Sequence, residues 1–335
     1  MKKVLLWLFA GILFAAGFAL LVFPSVKSWL SGQQTREEIA AFQKERVLSS
    51  SSVSGEEEGG AEESGEQTGS GSGSSRDYAA LLQEMQEYNA RIYQEHQTSL
   101  KDAWSFEENA FDFQSLGLPE DMAGYITIDA MDLELPLYVG ATEENMRKGA
   151  VILGQTSMPI GGENTNCVIA AHRGYRGIPF FREIERLQPG DLVQVTNFWG
   201  TLNYRVVKSI VVEPDEIEAV KILEGQDMVT LVSCHPYTKN YLRYIVYCVR
   251  DQEDPGTGGG FAMEQTDASG SGSQDSEKEA LTAEDIPFEG VPYTSSEQEI
   301  REEQTLNRAG LGMFAALLAL LAVVLALRGR RKSRK

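Results

Sequence analysis

Residues 228–236 read Met-Val-Thr-Leu-Val-Ser-Cys-His-Pro, and residues 241–249 read Tyr-Leu-Arg-Tyr-Ile-Val-Tyr-Cys-Val. Both runs are rich in β-branched and aromatic residues, which favour β-strands. Pro236 ends the first run, because a proline cannot donate a hydrogen bond to a central strand ladder. The sequence therefore predicts two successive strands, 228–233 and 241–249, with Cys234 where the first strand ends and Arg243 inside the second.

Further short runs of the same kind precede this pair, and Gly, Pro, Asn and Asp separate many of them. They cover residues 125–128, 133–139, 167–171, 192–196 and 202–212. Seven or more short strands with few helical patterns favour a closed or nearly closed β-barrel over an alternating α/β sheet. Ahead of the strands, apolar residues recur at helical spacing between Tyr78 and Ile92, which predicts an amphipathic helix.

Two apolar segments near the ends are long enough to cross a bilayer. Val4 to Phe23 and Ala309 to Leu327 are runs of 20 and 19 residues without a charge. Lysines precede the first run and six Lys and Arg residues follow the second, so the positive-inside rule predicts that both ends are cytoplasmic. The chain is then a two-pass protein of the cell membrane with an extracellular centre. A cleaved signal peptide is the alternative for the first segment, and it leaves the centre on the same side.

The overall charge and the cysteine count narrow the class of protein. The chain has 49 acidic residues against 30 Lys and Arg residues, so its net charge of -19 argues against nucleic acid as a partner. Three cysteines are an odd number for an exported chain, so at least one thiol is free or bonded to another molecule. Cys167 and Cys248 lie in apolar runs and are interpreted as core residues, with a mutual disulfide as the alternative.

Three residues are candidates for a site of nucleophilic catalysis. His172 follows the apolar run 167–171, so it lies where a strand gives way to a loop, as Cys234 does. A thiol needs an imidazole or a guanidinium nearby to raise its reactive fraction or to protonate a leaving amine. Arginine stays charged and can stabilise a developing oxyanion, which suits Arg243. Taken singly, each residue also has an ordinary structural interpretation, as a core cysteine, a surface histidine or an edge-strand charge.

The segments around these residues resemble the sortase family. Thr230 to Tyr237, followed by Asn240 and Arg243, is similar to the Thr-Leu-x-Thr-Cys segment and downstream arginine of sortases. Ala-Ala-His-Arg-Gly at residues 170–174 is similar to the Gly-His-Arg-Gly segment of class C sortases, the pilin polymerases. The likeness covers about residues 115–250, and a second membrane segment is also common in class C.

The resemblance implies an eight-stranded barrel and a role for each residue. Cys234 would attack the Thr-Gly bond of a Leu-Pro-x-Thr-Gly-like sorting signal and form a thioester. His172 would act as general acid and then base, and Arg243 would orient the substrate or stabilise the oxyanion. A lysine amine of a pilin subunit would resolve the thioester in pilus assembly, and no metal or organic cofactor is required.

The sequence departs from the family pattern at three places. Ser233 replaces the usual threonine before the cysteine. His235 is interpreted as a solvated loop side chain, the alternative being a group that perturbs the pKa of Cys234. Class C enzymes tend to carry an Asp-Pro-aromatic lid, which Asp102-Ala103-Trp104 resembles without the proline. The resemblance predicts that Asp102 pairs with Arg243 while Trp104 covers Cys234, and an ordinary surface loop is the alternative.

Other functions remain open from the sequence: a sortase that anchors surface proteins to the cell wall, a thiol protease in which water resolves the thioester, or a non-catalytic membrane-tethered binding module.

Runs of Ser, Gly and acidic residues at 49–75 and 254–278 cannot bury enough apolar surface to fold. The predicted boundaries are 1–25 for the N-terminal anchor or signal, 26–76 for a polar helix and disordered linker, 77–114 for the amphipathic helix and candidate lid, 115–252 for the catalytic barrel, 253–308 for an acidic flexible linker, 309–327 for the C-terminal transmembrane helix and 328–335 for a basic cytoplasmic tail.

Overall fold

The computed structural model describes residues 30–46, 78–102, 122–175, 178–257 and 281–332, and also assigns Gly11 and Gly17 to a helix. Eight strands close into a barrel in the order β1-β2-β3-β4-β7-β8-β6-β5. The strands are β1 (Met122–Ile128), β2 (Leu133–Val139), β3 (Ala150–Ile152), β4 (Thr165–Ala170), β5 (Leu192–Thr196), β6 (Thr201–Val212), β7 (Asp227–His235) and β8 (Leu242–Arg250). The predicted mainly β, eight-stranded barrel is confirmed.

Four helices accompany the barrel in the described ranges. They are α1 (residues 30–46), α2 (Tyr78–Gln94), α3 (Glu143–Lys148) and α4 (Glu297–Lys332). Helix α2 lies where the apolar spacing predicts a helix, and it buries Leu81, Met85, Tyr88 and Ile92. None of the helices in the described part of the chain combines the length and the apolar character needed to span a membrane. The predicted span 4–23 lies outside the described residues, apart from its two glycines.

The strands that carry the candidate residues are buried on both faces. Every residue of β4, and every residue of β8 except Arg250, is buried. One face of each strand fills the barrel, so burial of the other face requires a cover outside it. This explains why these strands read as nearly continuous apolar runs rather than as alternating ones.

Segments beyond the barrel also pack against it. In α1, Ile39 and Phe42 are buried, and the hydroxyl of Tyr138 donates to Glu38 at 2.9 Å. On the C-terminal side, Ile286 is buried, and the backbone N–H of Val291 donates to the carbonyl of Val211 at 2.7 Å. The structure thus differs from the predicted flexible linker over residues 253–308, because part of that stretch carries apolar side chains that dock on β6 and β8.

The three cysteines are free thiols and all are buried. Cys167 on β4 and Cys248 on β8 both pair with Val229 of β7, so a whole strand lies between them. Two strand spacings amount to about 10 Å, whereas a disulfide needs Cα atoms within about 7 Å. The interpretation of Cys167 and Cys248 as core residues is confirmed, and their mutual disulfide is excluded.

Candidate active site

Three adjacent strands bring Cys234, His172 and Arg243 into one row. Cys234 on β7 pairs directly with Arg243 on β8, and side chains directly opposite in an antiparallel pair share a face of the sheet. On the other side, β4 runs parallel to β7 with Ala170 opposite Val232. Continuing that register by two residues brings His172 beside Cys234, on the same face.

The row of side chains lies along a cleft with a volume of about 410 Å³. His172, Cys234 and Arg243 line it together with Tyr175, Tyr237 and Asn240. The last two belong to the connection between β7 and β8. The cleft therefore has a thiol, an imidazole and a guanidinium along one wall and part of the connection between β7 and β8 along another.

Hydrogen bonds continue the ladder between β4 and β7 beyond the end of β4. The backbone N–H of Ala171 donates to the carbonyl of Val232 at 3.2 Å. The hydroxyl of Ser233 donates to the carbonyl of Ala171 at 2.8 Å. These two bonds fix the chain just before His172 against the chain just before Cys234. Serine in place of threonine keeps the hydroxyl that this contact uses.

Burial sets the protonation states of the two reactive groups. It raises the pKa of the Cys234 thiol to about 11, and Asp102 adds to this, whereas the charges of Arg243 and Arg173 act in the opposite direction. Burial also lowers the pKa of the His172 imidazole, which stacks on Tyr175 with ring centroids 4.8 Å apart. Near neutral pH both groups are mainly uncharged, and the thiolate–imidazolium pair is a minor coupled state.

The carboxylate of Asp102 binds the guanidinium of Arg243. Its Nε donates to Asp102 Oδ1 at 2.7 Å and its Nη2 donates to Asp102 Oδ2 at 2.8 Å, a bidentate and charge-assisted pair. Its Nη1 donates to the carbonyl oxygens of Asn240 and Leu242. The structure thus contains the predicted pair between Asp102 and Arg243. Trp104, the other predicted lid residue, lies outside the described residues.

The interpretation of His235 as a solvated loop side chain is wrong. Strand β7 extends through His235, which pairs with Leu242, and its side chain is fully buried. Because successive side chains of a strand point to opposite faces, His235 lies on the face away from Cys234. Its Nδ1 lies 2.8 Å from Arg173 Nη1 and 3.2 Å from Glu185 Oε1.

His235 belongs to a cluster of charged side chains that the sequence does not reveal. The Nη2 of Arg173 donates to Glu185 Oε1, and both side chains are almost completely buried. Glu185 lies in a 3-10 turn at Ile184–Arg186, in the connection between β4 and β5. The sequence offers no signal that separates Glu185 from Glu183, since both acids stand beside an arginine. Among the described residues, no group of three or more His, Cys, Asp or Glu side chains is arranged to hold a metal ion.

Comparisons with known proteins agree with this geometry. A family model described as the sortase domain matches residues 126–251, a range that contains His172, Cys234 and Arg243. Sortase A of Bacillus anthracis is 28% identical over 156 residues, which cover 46% of this chain and 72% of that protein.

Two solved structures are similar as well. Sortase C-1 from Streptococcus pneumoniae is 27% identical with a TM-score of 0.50, and the match covers 64% of this chain and 98% of that one. Streptococcus agalactiae sortase C1 is 31% identical over 52% of this chain and 89% of that one, with a TM-score of 0.49. The barrel, the buried thiol and the sequence matches all point to one family. This chain belongs to the sortase family of cysteine transpeptidases.

Proposed function

We propose that this sortase cleaves a Leu-Pro-x-Thr-Gly-like sorting signal with Cys234, His172 and Arg243, and joins the acyl part to a lysine amine of a pilin subunit. The observation that carries the proposal is the row of these three side chains along one cleft. A thiol nucleophile, a titratable proton carrier and a fixed cation are the groups that acyl transfer through a thioester needs.

In the first step, the thiol proton of Cys234 passes to His172 and the thiolate attacks the threonine carbonyl carbon. The carbonyl oxygen becomes an oxyanion, for which Arg243, directly opposite Cys234 on β8, is the cationic donor. When the tetrahedral intermediate collapses, the C–N bond to glycine breaks and His172 gives its proton to the leaving amine. The product is a thioester between threonine and Cys234.

In the second step, a lysine amine attacks the thioester carbonyl while neutral His172 accepts a proton. The C–S bond breaks, the thiol is restored and a threonine–lysine isopeptide bond forms. Water in place of the amine gives hydrolysis instead. Transfer therefore depends on which nucleophile reaches the cleft, because the chemistry of the chain's own residues is the same in both cases.

Arg243 must exchange Asp102 for substrate before it can stabilise an oxyanion. Its two donors that face Asp102 are occupied by a bidentate contact. We infer that Asp102 belongs to a lid that closes the resting cleft, together with Trp104. The pair between Asp102 and Arg243 and the Ala-Ala-His-Arg-Gly segment support the class C assignment, as does the likeness to sortase C-1 from Streptococcus pneumoniae.

A transfer assay tests the proposed function. The full chain in detergent is incubated with a sorting-signal peptide and purified pilin, and products are analysed by gel and mass spectrometry. Lysine-linked pilin oligomers are expected. Transfer only to a short wall-like amine would favour the wall-anchoring alternative, hydrolysis alone would favour a thiol protease, and unchanged peptide would favour the non-catalytic binding module.

We further propose that residues 4–23 and 309–327 hold the chain in the cell membrane, with the barrel outside. The apolar length of both runs and the basic residues beside them support this arrangement. External protease added to intact cells is expected to cleave at residues 49–75 or 254–278 and to leave tags at both termini protected. Cleavage of either terminal tag would contradict this topology.

A further inference from the structure

A second set of charged residues lies behind the nucleophile. Arg173 and Glu185 form a buried ion pair, and His235 lies against both of them. The Nη1 of Arg173 also donates to the carbonyl oxygen of Cys234 at 3.5 Å. Charges buried this deeply are tolerated only when paired and hydrogen-bonded, so the cluster strongly favours one geometry. Through Arg173 the cluster contacts the backbone of Cys234, and through His235 it reaches the face of β7 away from the thiol.

The other oxygen of Glu185 binds a distant part of the chain. Its Oε2 accepts from the hydroxyl of Ser295 and from the backbone N–H of Ser296, the latter at 2.9 Å. The ring of Tyr293 packs edge-on against His235, with centroids 5.1 Å apart. One carboxylate therefore joins the cluster behind Cys234 to residues 293–296, which follow the second linker by some distance along the chain.

The same segment also binds the loop that lines the cleft. The backbone N–H of Tyr237 donates to the hydroxyl of Ser296 at 3.0 Å, and the hydroxyl of Tyr237 donates to Glu303 at 2.7 Å. Lys239 lies 3.6 Å from Glu299 on the first turn of α4. Tyr237 thus has its backbone and its side chain held from residues 296–303, while it lines the cleft beside Cys234.

We propose that Glu185 is a positioning residue for Cys234 and that residues 293–303 belong to the active-site framework. Glu185 fixes Arg173 and His235, and through them the end of β7, while Ser296 fixes Tyr237. The proposal rests on the proposed role of Cys234 as nucleophile. It implies that a fragment ending near residue 252 keeps the three catalytic side chains but removes the hydrogen bonds that Glu185 accepts from residues 295 and 296.

The test compares Glu185→Gln with Glu183→Gln in the full chain. Glu183 is a matched control, because it adjoins the same 3-10 turn and also contacts α4, through Gln304. One readout is kcat and KM for a sorting-signal peptide. The other is the pH dependence of Cys234 alkylation by iodoacetamide, with Cys234→Ala as the blank for the two buried thiols.

Glu185→Gln is expected to lower kcat by up to about a hundredfold, with a small effect on KM, because misplacing a reacting group slows the chemical step. Its alkylation profile is expected to shift to lower pH, since Arg173 loses its counterion while Arg243, Asp102 and His172 around the thiol stay as they are. Glu183→Gln is expected to match the unmodified chain. Equal behaviour of the two variants, or an unshifted alkylation profile, overturns the proposal.

Alkylation separates this proposal from the proposed function, because it needs no peptide. A shifted profile in a chain that never turns over a sorting signal rejects the function but keeps the positioning role. Should Glu185→Gln fail to fold, Ser296→Ala is compared with Thr305→Ala, which changes an exposed hydroxyl of α4. Ser296→Ala is expected to lower kcat/KM by about two- to tenfold, the usual range for one hydrogen bond. Equal values for the two variants overturn the proposal.

Discussion

Residues that are neighbours in the chain join two different charged clusters of this barrel. His172 and Cys234 line the cleft with Arg243, which binds Asp102. The guanidinium of Arg173 binds Glu185 instead, and His235 lies beside that pair, on the face of β7 away from Cys234. Each cluster holds one arginine–carboxylate pair. The side chains of Arg243 and Asp102 are 10% and 23% exposed, and those of Arg173 and Glu185 are 1% and 5% exposed.

The two pairs therefore have different roles. We expect substrate to displace the contact between Asp102 and Arg243, whereas the fold requires the contact between Arg173 and Glu185. Water or a substrate carbonyl can replace Asp102 at the mouth of the cleft at small cost. Opening the pair behind Cys234 leaves a charge without a partner in the protein interior, which is costly. We therefore expect changes to the cleft pair to alter rates and changes to the rear pair to alter stability as well.

The largest effect is expected from Glu185→Ala, which leaves the charge of Arg173 uncompensated. Removing one partner of a buried ion pair typically costs about 3–5 kcal/mol of unfolding free energy. Chemical denaturation of the full chain in detergent measures this loss of unfolding free energy. Asp102→Ala is the matched control, because it removes the partly exposed carboxylate, and a loss of about 1 kcal/mol or less is expected for it. Similar losses for the two variants would contradict the assignment of the two pairs to different roles.

Arg243→Gln is expected to lower kcat for peptide cleavage by about 10²–10³-fold, the usual cost of losing an oxyanion donor. Its unfolding free energy should stay close to that of the unmodified chain, because the pair with Asp102 is partly exposed. Peptide cleavage and denaturation measured on the same preparation test both parts. A loss of activity that merely follows a loss of folded protein would place Arg243 among the structural residues.

Asp102→Ala is expected to speed alkylation of Cys234 about two- to fivefold, in line with a partly exposed ion pair. Removing this carboxylate takes away the partner of the Nε and Nη2 donors of Arg243. It also removes an anion that raises the pKa of the Cys234 thiol. Lys101→Ala changes the adjacent side chain and serves as the control. A slower reaction in Asp102→Ala than in the control would show that Asp102 supports the thiol rather than blocking it.

A further effect is a pH dependence of stability that comes from Glu185. Burial alone would raise its pKa, but hydrogen bonds from His235 and Ser295 and the charge of Arg173 lower it to about 2. A glutamate in the unfolded chain titrates near about 4.3. The contribution of Glu185 is therefore fully present above that pH and is lost as the pH falls toward 2.

Thermal unfolding at pH 5 and pH 3 measures this contribution. The stability advantage of the unmodified chain over Glu185→Gln is expected to shrink at pH 3, because glutamine does not titrate. An advantage of the same size at both values would mean that the folded chain does not hold Glu185 as a carboxylate of lowered pKa.

Sequence patterns predicted the strands, and the family resemblance singled out the cleft trio, but neither identified the residues behind it. Cys234 and Arg243 stand in recognisable strand runs, yet the row with His172 depends on the parallel pairing of β4 with β7, which no local pattern encodes. The interpretation of His235 as a loop residue is wrong because β7 continues through His235, beyond the end of its apolar run. Glu185 has the same local sequence character as Glu183, and only the tertiary fold distinguishes them.

Composition also concealed the docking of the C-terminal segment. Averaged over residues 253–308, the sequence is acidic and polar, as a flexible linker would be. Ile286 and Phe288 are isolated apolar residues in that stretch, and only the barrel shows what they contact: Ile286 is buried and Phe288 stacks on Tyr247. A few apolar anchors suffice to dock a segment that composition alone assigns to disorder.

Trapping of the thioester tests whether Cys234 is the nucleophile. The full chain in detergent is mixed with a Leu-Pro-x-Thr-Gly peptide, quenched in acid and analysed by mass spectrometry of its proteolytic fragments. An acyl group ending in threonine is expected on the fragment that contains Cys234, and it should be released by hydroxylamine and absent from Cys234→Ala. Undiminished peptide cleavage by Cys234→Ala, or an acyl group attached to any other residue, would contradict it.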